Sequence, residues 1–304
     1  MQCLSFERMI GKIRMGVLEM NLSVVVTKAK ESPVDEVSTR ESAIKISNLR
    51  KVFERKGEEI EAIKGIDLDI KEGQFVSVVG PSGCGKSTFL HIVGGFIERT
   101  SGVVSVRGEE VGKPAPDRGM MFQESTLFPW RKVYDNVAWG LEAQKFPKGE
   151  IKERVEYFLK LVGLWEFKDN LPSELSGGMR QRVSLARVLA FDPKVLLMDE
   201  PFGALDSQTR ETMQVELQRI WSESKKSVIF VTHDIEEAVY LSDYVVVLTK
   251  RPSIVKEILK IELPRPRDVS IRKSYEFIDY RNHIWDLLHE EENVKSIGGQ
   301  FNAE

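Results

Sequence analysis

The run Gly80-Pro81-Ser82-Gly83-Cys84-Gly85-Lys86-Ser87-Thr88 sets glycines, a lysine and hydroxyls in the spacing G-x-x-x-x-G-K-[ST]. Glycines let a backbone curl until successive N–H groups point at phosphate oxygens. A helix starting near Lys86 would aim the positive end of its dipole at the same anion. Lys86 supplies a mobile cation for the β- and γ-phosphates of a nucleotide, and the Ser87 hydroxyl can bind Mg²⁺. Cys84 reads as a small filler of the loop. Beside a helix N-terminus its thiol could instead acidify, and its alkylation is then expected to block ATP binding. Further along, Asp199 and Glu200 close the apolar run Val195-Leu196-Leu197-Met198. Such a pair suits a division of labour in which Asp199 holds Mg²⁺ through its water shell and Glu200 orients or deprotonates a water. The alternative is ordinary solvated loop charge. His233 closes a second apolar run, Val228-Ile229-Phe230-Val231, which puts it on the same sheet edge as Asp199, where it would bond the γ-phosphate. Ser176-Gly177-Gly178 opens a helix with Val183, Ala186 and Ala190 on its apolar side, and so offers a second anion with a hydroxyl, free N–H groups and a dipole.

These residues need rigid supports. Phe75-Val76-Ser77-Val78-Val79 predicts a buried strand running into the glycine loop, and Val245-Val246-Val247-Leu248 another strand beyond His233. Apolar runs alternating with amphipathic helices predict an α/β domain with a mostly parallel sheet covered on both faces. Upstream, Ile44-Lys45-Ile46 and Ile66-Asp67-Leu68-Asp69-Ile70 alternate around the turn Lys56-Gly57-Glu58-Glu59, which predicts antiparallel pairing. The stretch from about 125 to 180 has helical spacing (Val155, Phe158, Leu159, Val162) and predicts a helical subdomain inserted into the α/β domain. The tract 28–40 is polar, charged and without a clear period, so 1–42 is expected to be a mobile extension, with a regulatory tail as the alternative. The main domain is then 43–262. A helical tail occupies 263–304, with a helix from about Ser270 to Glu292 that carries Ile278, Ile284, Trp285 and Leu288 on its apolar side and ends in the solvated Glu290-Glu291-Glu292.

Composition removes some classes of function. Lysine and arginine number 44 against 47 acidic residues, a formal net charge of −3, so no dominant attraction to nucleic acid is expected. Cys3 and Cys84 are too few and too far apart for a disulfide framework, which fits a reducing, cytoplasmic setting. No window is long and apolar enough to span a bilayer. Glu7, Arg8, Lys12, Arg14 and Glu19 interrupt the N-terminal apolar residues, unlike a signal peptide. A role at a membrane would need a partner.

Five further motifs separate this chain from other phosphate-loop proteins. Leu175-Ser176-Gly177-Gly178-Met179-Arg180-Gln181 resembles the signature of ABC ATPases, and residues 195–201 resemble their Walker B strand. Ala204-Leu205-Asp206 resembles the D-loop, Thr232-His233-Asp234 carries the switch histidine, and Gln123 stands where the Q-loop glutamine belongs. Phe53 matches the A-loop position, where an aromatic ring stacks on adenine; tyrosine is commoner there, and phenylalanine keeps the stacking face. The resemblance covers roughly 43–260. It implies a nucleotide held by Phe53, residues 80–88, Ser176, Gly177, Gly178, Gln181 and Asp206. Mg²⁺ would be held near Ser87, Gln123 and Asp199, and catalysis carried by Glu200, His233, Lys86 and Gln123. It also implies a head-to-tail pair, each signature closing on the partner's nucleotide, so that a second copy or a close paralogue is required.

Phe128-Pro129-Trp130, Asp135-Asn136-Val137, Gly140-Leu141-Glu142, the Arg251-Pro252 region, Leu263-Pro264-Arg265-Pro266-Arg267 and the tail around Ile284-Trp285 look like the ATPase subunits of nitrate, sulfonate and taurine importers. That resemblance implies a permease and an extracytoplasmic solute-binding protein as partners, and a peripheral position at the cytoplasmic face of the membrane. Leu127-Phe128-Pro129-Trp130-Arg131 is the expected docking surface for the permease, unless Phe128 and Trp130 fill the insertion's own core. The rival is a soluble ABC ATPase acting on nucleic acid or the ribosome. DNA-repair types need a long coiled-coil insertion between phosphate loop and signature, and the interval here is too short; ribosomal types usually carry two ATPase halves, and this chain has one. A GTPase would need an N-K-x-D element, which the chain lacks.

Overall fold

Alternation in the first described residues produces a hairpin. In the computed structural model, which describes residues 41–298 and side chains as far as Glu290, β1 (Ser42–Arg55) and β2 (Glu58–Lys71) pair antiparallel. Ile44 stands opposite Ile70 and Ile46 opposite Leu68, so one face is apolar. The turn between them sits at Lys56 and Gly57, both at positive φ (54° and 81°), the conformation a tight hairpin turn demands. Two strands not foreseen from sequence complete this sheet, β4 (Ser101–Val106) and the short β5 (Glu109–Glu110), in the order β2-β1-β4-β5. The extension up to residue 40, and with it Cys3, lies outside the described residues, as do the side chains of Glu291 and Glu292.

A second, six-stranded sheet runs β10-β9-β3-β8-β7-β6. Its members are β3 (Phe75–Val79), β6 (Arg118–Met121), β7 (Val195–Asp199), β8 (Ser227–Val231), β9 (Tyr244–Leu248) and β10 (Val255–Lys260). All pairs are parallel except β9 with β10. Strand alternation divides its side chains between two cores. Val76, Val78, Leu197, Ile229 and Val246 face the first, with α1 (Lys86–Gly94) and the antiparallel sheet. Phe75, Val79, Leu196, Met198, Phe230 and Val247 face the second. That second core takes in α2 (Val133–Ala143), α3 (Lys148–Leu161), α4 (Gly177–Ala190), α5 (Ser207–Ser224) and α6 (Ile235–Leu241). With both faces covered, the central strands β3, β7 and β8 are buried at every position, as their largely apolar sequences require.

The C-terminal segment packs into the same core. A 3₁₀ turn (Val269–Lys273) precedes α7 (Tyr275–Gly298), which starts five residues later than its spacing predicts. Phe277 and Ile284 are buried against the main core. Trp285, expected on that apolar side, is 56% exposed and stacks on His289 at 3.9 Å. Phe277 and Ile284 are seven residues apart, two helical turns, and form a single narrow seam; Trp285 sits about 100° around the helix from Ile284.

Candidate nucleotide site

β3 ends in the glycine loop. Gly83 and Gly85 take positive φ (73° and 117°), and Gly85 caps α1 without any side-chain bond to the helix, so the first N–H groups of α1 are left to other partners. A side chain at Gly85 would press on the Ala62 carbonyl at 3.4 Å. Arg251 donates from Nη2 to the Gly83 carbonyl at 2.8 Å and holds the loop from the β9–β10 connection. Lys86 is buried and donates to the carbonyls of Gly80 (2.7 Å) and Pro81 (3.2 Å). Ser82 is exposed; Ser87 and Thr88 are half-buried on the first turn of α1.

Cys84 departs from one of its two readings. It is only 1% exposed, and burial pushes its thiol above the ordinary value, overriding the nearby Lys86. Its N–H donates to the Pro81 carbonyl. Its Sγ stands where a Cβ on Gly80 would fall, 2.9 Å away, so it fills the space beneath the loop. Cys84 is a packing residue, and the acidified thiol is not what the structure contains.

The parallel register brings the remaining polar residues to the carboxyl edge of the sheet. Asp199, the last residue of β7, is 2% exposed and accepts from Ser87 Oγ at 3.2 Å. Burial raises its pKa above the ordinary carboxylate value, opposed by the Ser87 bond. His91 Nε2, on α1, approaches Asp199 Oδ2 at 3.8 Å. The next residue, Glu200, has φ of 44°, and its N–H donates to the Val231 carbonyl at 2.9 Å. Its Oε2 lies 3.1 Å from Gln123 Nε2, which donates to it, and 3.1 Å from His233 Nδ1. His233 itself is 64% exposed, in the turn between β8 and α6. Two ends of parallel strands thus converge on one carboxylate, with Gln123 joining from just past β6.

The other predicted residues form a second group. Ser176 caps α4, accepting from Met179 N at 3.2 Å, and stays exposed with Gly177. Gly178 packs on the Ala204 carbonyl, 3.3 Å from where a Cβ would stand. Asp206 caps α5, and the Thr209 N–H that it accepts at 3.0 Å holds its carboxyl below the ordinary range. Among the described residues no hydrogen bond or ion pair joins Ser176, Gly177 or Gly178 to residues 80–88 of the same chain. Gln181 turns inward: it is buried and donates to the Gln123 carbonyl at 3.4 Å, toward the loop that precedes the helical subdomain. Phe53 lies on β1 opposite Ile60, exposed, with Lys51 Nζ 4.7 Å from its ring centre.

In the helical subdomain, Trp130 is 74% exposed, and Phe128 is half-buried between Trp130 (5.8 Å) and Trp139 (5.1 Å). Trp130 therefore does not fill the insertion's core. Sequence reasoning missed what shapes this loop. Asn136, buried on α2, accepts from Phe128 N at 2.8 Å and donates to the carbonyls of Phe128, Arg131 and Lys132. It also missed Arg267, buried, which donates to the carbonyls of Val239, Tyr240 and Ser242 at the end of α6. Burial lowers the Arg267 pKa to about 10. In sequence both were single polar residues with no partner in view.

Comparison with known proteins agrees with this geometry. The model of the family described as "ABC transporter" matches residues 63–203. An uncharacterized ABC transporter ATP-binding protein of Methanocaldococcus jannaschii is 52% identical over 260 residues, 84% of this chain and 96% of that protein. The nitrate import ATP-binding protein of Synechocystis sp. is 45% identical over 259 residues, 83% of this chain and 97% of that protein. Among solved structures, a dimeric ATP-binding cassette in a post-hydrolysis state, bound to ADP and Pi, is 33% identical with a TM-score of 0.67, over 73% of this chain and 100% of that one. A phosphate loop, a buried aspartate and a histidine-braced glutamate on one sheet edge, in a chain alike to these proteins along most of its length, make it a member of the ABC transporter family, an ATP-binding and ATP-hydrolysing subunit of a transporter.

Proposed function

We propose that the chain energises an importer. It would work as a homodimer, or with a close paralogue, at the cytoplasmic face of a membrane. There it would drive uptake of a small solute of the nitrate, sulfonate or taurine kind through a separate permease served by an extracytoplasmic solute-binding protein. What carries the catalytic part is one observation: the Glu200 carboxylate is held between Gln123 and His233, 3.1 Å from each, one residue after the buried Asp199. A carboxylate so held can orient and deprotonate a water while His233 bonds the terminal phosphate. Lys86 and the free N–H groups at the start of α1 would take the phosphates, and Phe53 the adenine.

The donor set also suits Mg²⁺. Ser87 and Asp199 offer hard oxygen ligands 3.2 Å apart. Among the described residues no three His, Cys, Asp or Glu side chains converge on one point, so a cation here would share its shell with water and phosphate oxygens, as Mg²⁺ commonly does. Bound there, it would offset negative charge on the phosphates. Gln123 would join it only by leaving Glu200.

The dimer is supported by the separation of the two groups. Ser176 and Gly177 are exposed at a glycine-opened helix end and, among the described residues, have no bond to their own phosphate loop. The similarity to a dimeric cassette points the same way. For the permease, the exposed Trp130 on a loop braced by Asn136 supplies an aromatic docking surface. For the solute, the support is the likeness to a nitrate import protein and the tracts around residues 128–142 and 263–267.

Glu200→Gln tests the catalytic assignment: it should give an ATP-dependent dimer that scarcely turns over. A variant that stays monomeric with ATP, or hydrolyses at the normal rate, refutes it. Trp130→Ala tests docking, since it should uncouple transport while sparing the ATPase of the isolated subunit. Stimulation of the assembled complex by nitrate, a sulfonate or taurine would identify the solute; indifference to all three would remove this part of the reading.

A further inference from the structure

His233 is largely exposed, so packing of its own ring does not set its position. What fixes it lies behind it. Thr232, the preceding residue, is buried; its N–H donates to the Val78 carbonyl of β3 at 3.3 Å and its Oγ1 accepts from Asp234 N at 3.0 Å. The same Oγ1 donates to Glu237 Oε2 at 2.7 Å. Glu237, buried on α6, accepts at its other oxygen from Gln214 Nε2 at 3.0 Å, with Arg210 Nε 3.9 Å away. Gln214, buried on α5, accepts at Oε1 from Arg272 Nη2 in the 3₁₀ turn of the C-terminal segment. Arg272 in turn lies with its guanidinium 4.6 Å from the Tyr240 ring of α6.

The chemistry of these groups makes the series directional. Arginine can only donate and a carboxylate only accept, so the Gln214 amide between them has one workable orientation. Without Arg272 that amide is free to turn its oxygen toward Glu237, where two acceptors would face each other and Glu237 would lose its hold. A second contact reinforces the first: Arg281 on α7 lies 3.4 Å from Glu236, at the edge of a cavity of about 570 Å³ whose wall includes both, with His233 and Trp285. The C-terminal segment therefore touches the histidine turn both through the interior and across the surface.

We propose that Glu237 is a positioning residue for His233, and that the C-terminal segment governs ATP turnover by holding Glu237 through Arg272 and Gln214. The proposal rests on the reading that His233 acts on the terminal phosphate. It is tested on the full chain by measuring kcat and KM for ATP in Glu237→Ala, Glu237→Gln, Arg272→Ala and His233→Ala, singly and with His233→Ala as background.

Glu237→Ala should lower kcat at least tenfold, and Arg272→Ala about threefold, each with KM within twofold of the parent. Glu237→Gln, whose amide can still bond both Thr232 and Gln214, should recover most of the loss. On the residual rate of His233→Ala neither change should have a further effect, because both act through that ring. Amide exchange over residues 232–237, followed by mass spectrometry, should quicken in Arg272→Ala while that of β3 stays slow. The proposal is overturned if Glu237→Ala keeps its kcat while His233→Ala is inactive, or if the losses add in the double variants. It is also overturned if KM rises in step with a fall in melting temperature, the mark of a merely structural residue. If His233→Ala itself turns over normally, the functional reading falls and takes this proposal with it; the two failures are thus told apart.

Discussion

Glu200 combines the catalytic role proposed for it with an unfavourable backbone, and the two can be separated. Its φ of 44° is in the left-handed region, and the bond from its N–H to Val231 gives it no route to relax. A residue with a Cβ pays about 1–2 kcal/mol for that conformation, and glycine nothing. Glycine loses about 0.5–1 kcal/mol through the greater freedom of the unfolded chain. The difference makes Glu200→Gly more stable than Glu200→Ala by about 0.5–1 kcal/mol, against the usual order of the two residues. In a domain of this size that is a rise of roughly 1–4 °C in melting temperature. Both variants lose the carboxylate between Gln123 and His233, and both should lose turnover by about 10²–10⁴. Parallel melts and ATPase assays at saturating ATP suffice. If the alanine variant melts at or above the glycine variant, the backbone strain is not there. If either hydrolyses ATP at the parental rate, the carboxylate does not serve the reaction.

Three further outcomes are expected. Asn136→Ala should destabilise the protein by about 2–4 kcal/mol in urea titrations, because it strands the Phe128 N–H and loosens three carbonyls; a cost under about 1 kcal/mol would mean that water replaces the amide. In a Cys3→Ala background, the Cys84 thiol should react with an aromatic disulfide at least about a hundredfold more slowly in the native protein than in denaturant, since it is buried and its pKa is raised; fast native labelling would contradict both. Burial holds the Glu237 pKa above its ordinary value of 4.5, so its contribution to stability is full below that value and is lost as pH rises through the folded value. The stability of the parent relative to Glu237→Gln should therefore fall as pH rises above 4.5, and a flat or rising difference would refute the burial argument.

The candidate site edge was legible because its residues close the unbroken apolar runs 195–198 and 228–231. Asp199 ends β7 and His233 follows β8; both strands are buried along their whole length, and such runs announce themselves without any partner in view. β6 was not legible. It is four residues long and contains Gly119, whose place is fixed by Val188 and Pro193 pressing where a Cβ would be, contacts far away in sequence. Trp285 was misplaced because helical periodicity marks which residues share a face, not how wide the covered strip is. Cys84 was half-read: the helix terminus beside it was visible in sequence, its burial was not. Glu237, Gln214 and Arg272 escaped notice since a buried polar side chain declares itself only with its partners, and these come from three separate stretches of chain.

Arg267 bears on how portable this cassette is. Its guanidinium gathers three carbonyls at the end of α6 and also reaches Ile261, while its backbone exchanges two bonds with Gln218 of α5. A chimera spliced just after β10 would leave those oxygens bare and open the pockets filled by Phe277 and Ile284. Swapping cassettes between transporters therefore has to carry residues 261–284 along with the motor they are bolted to.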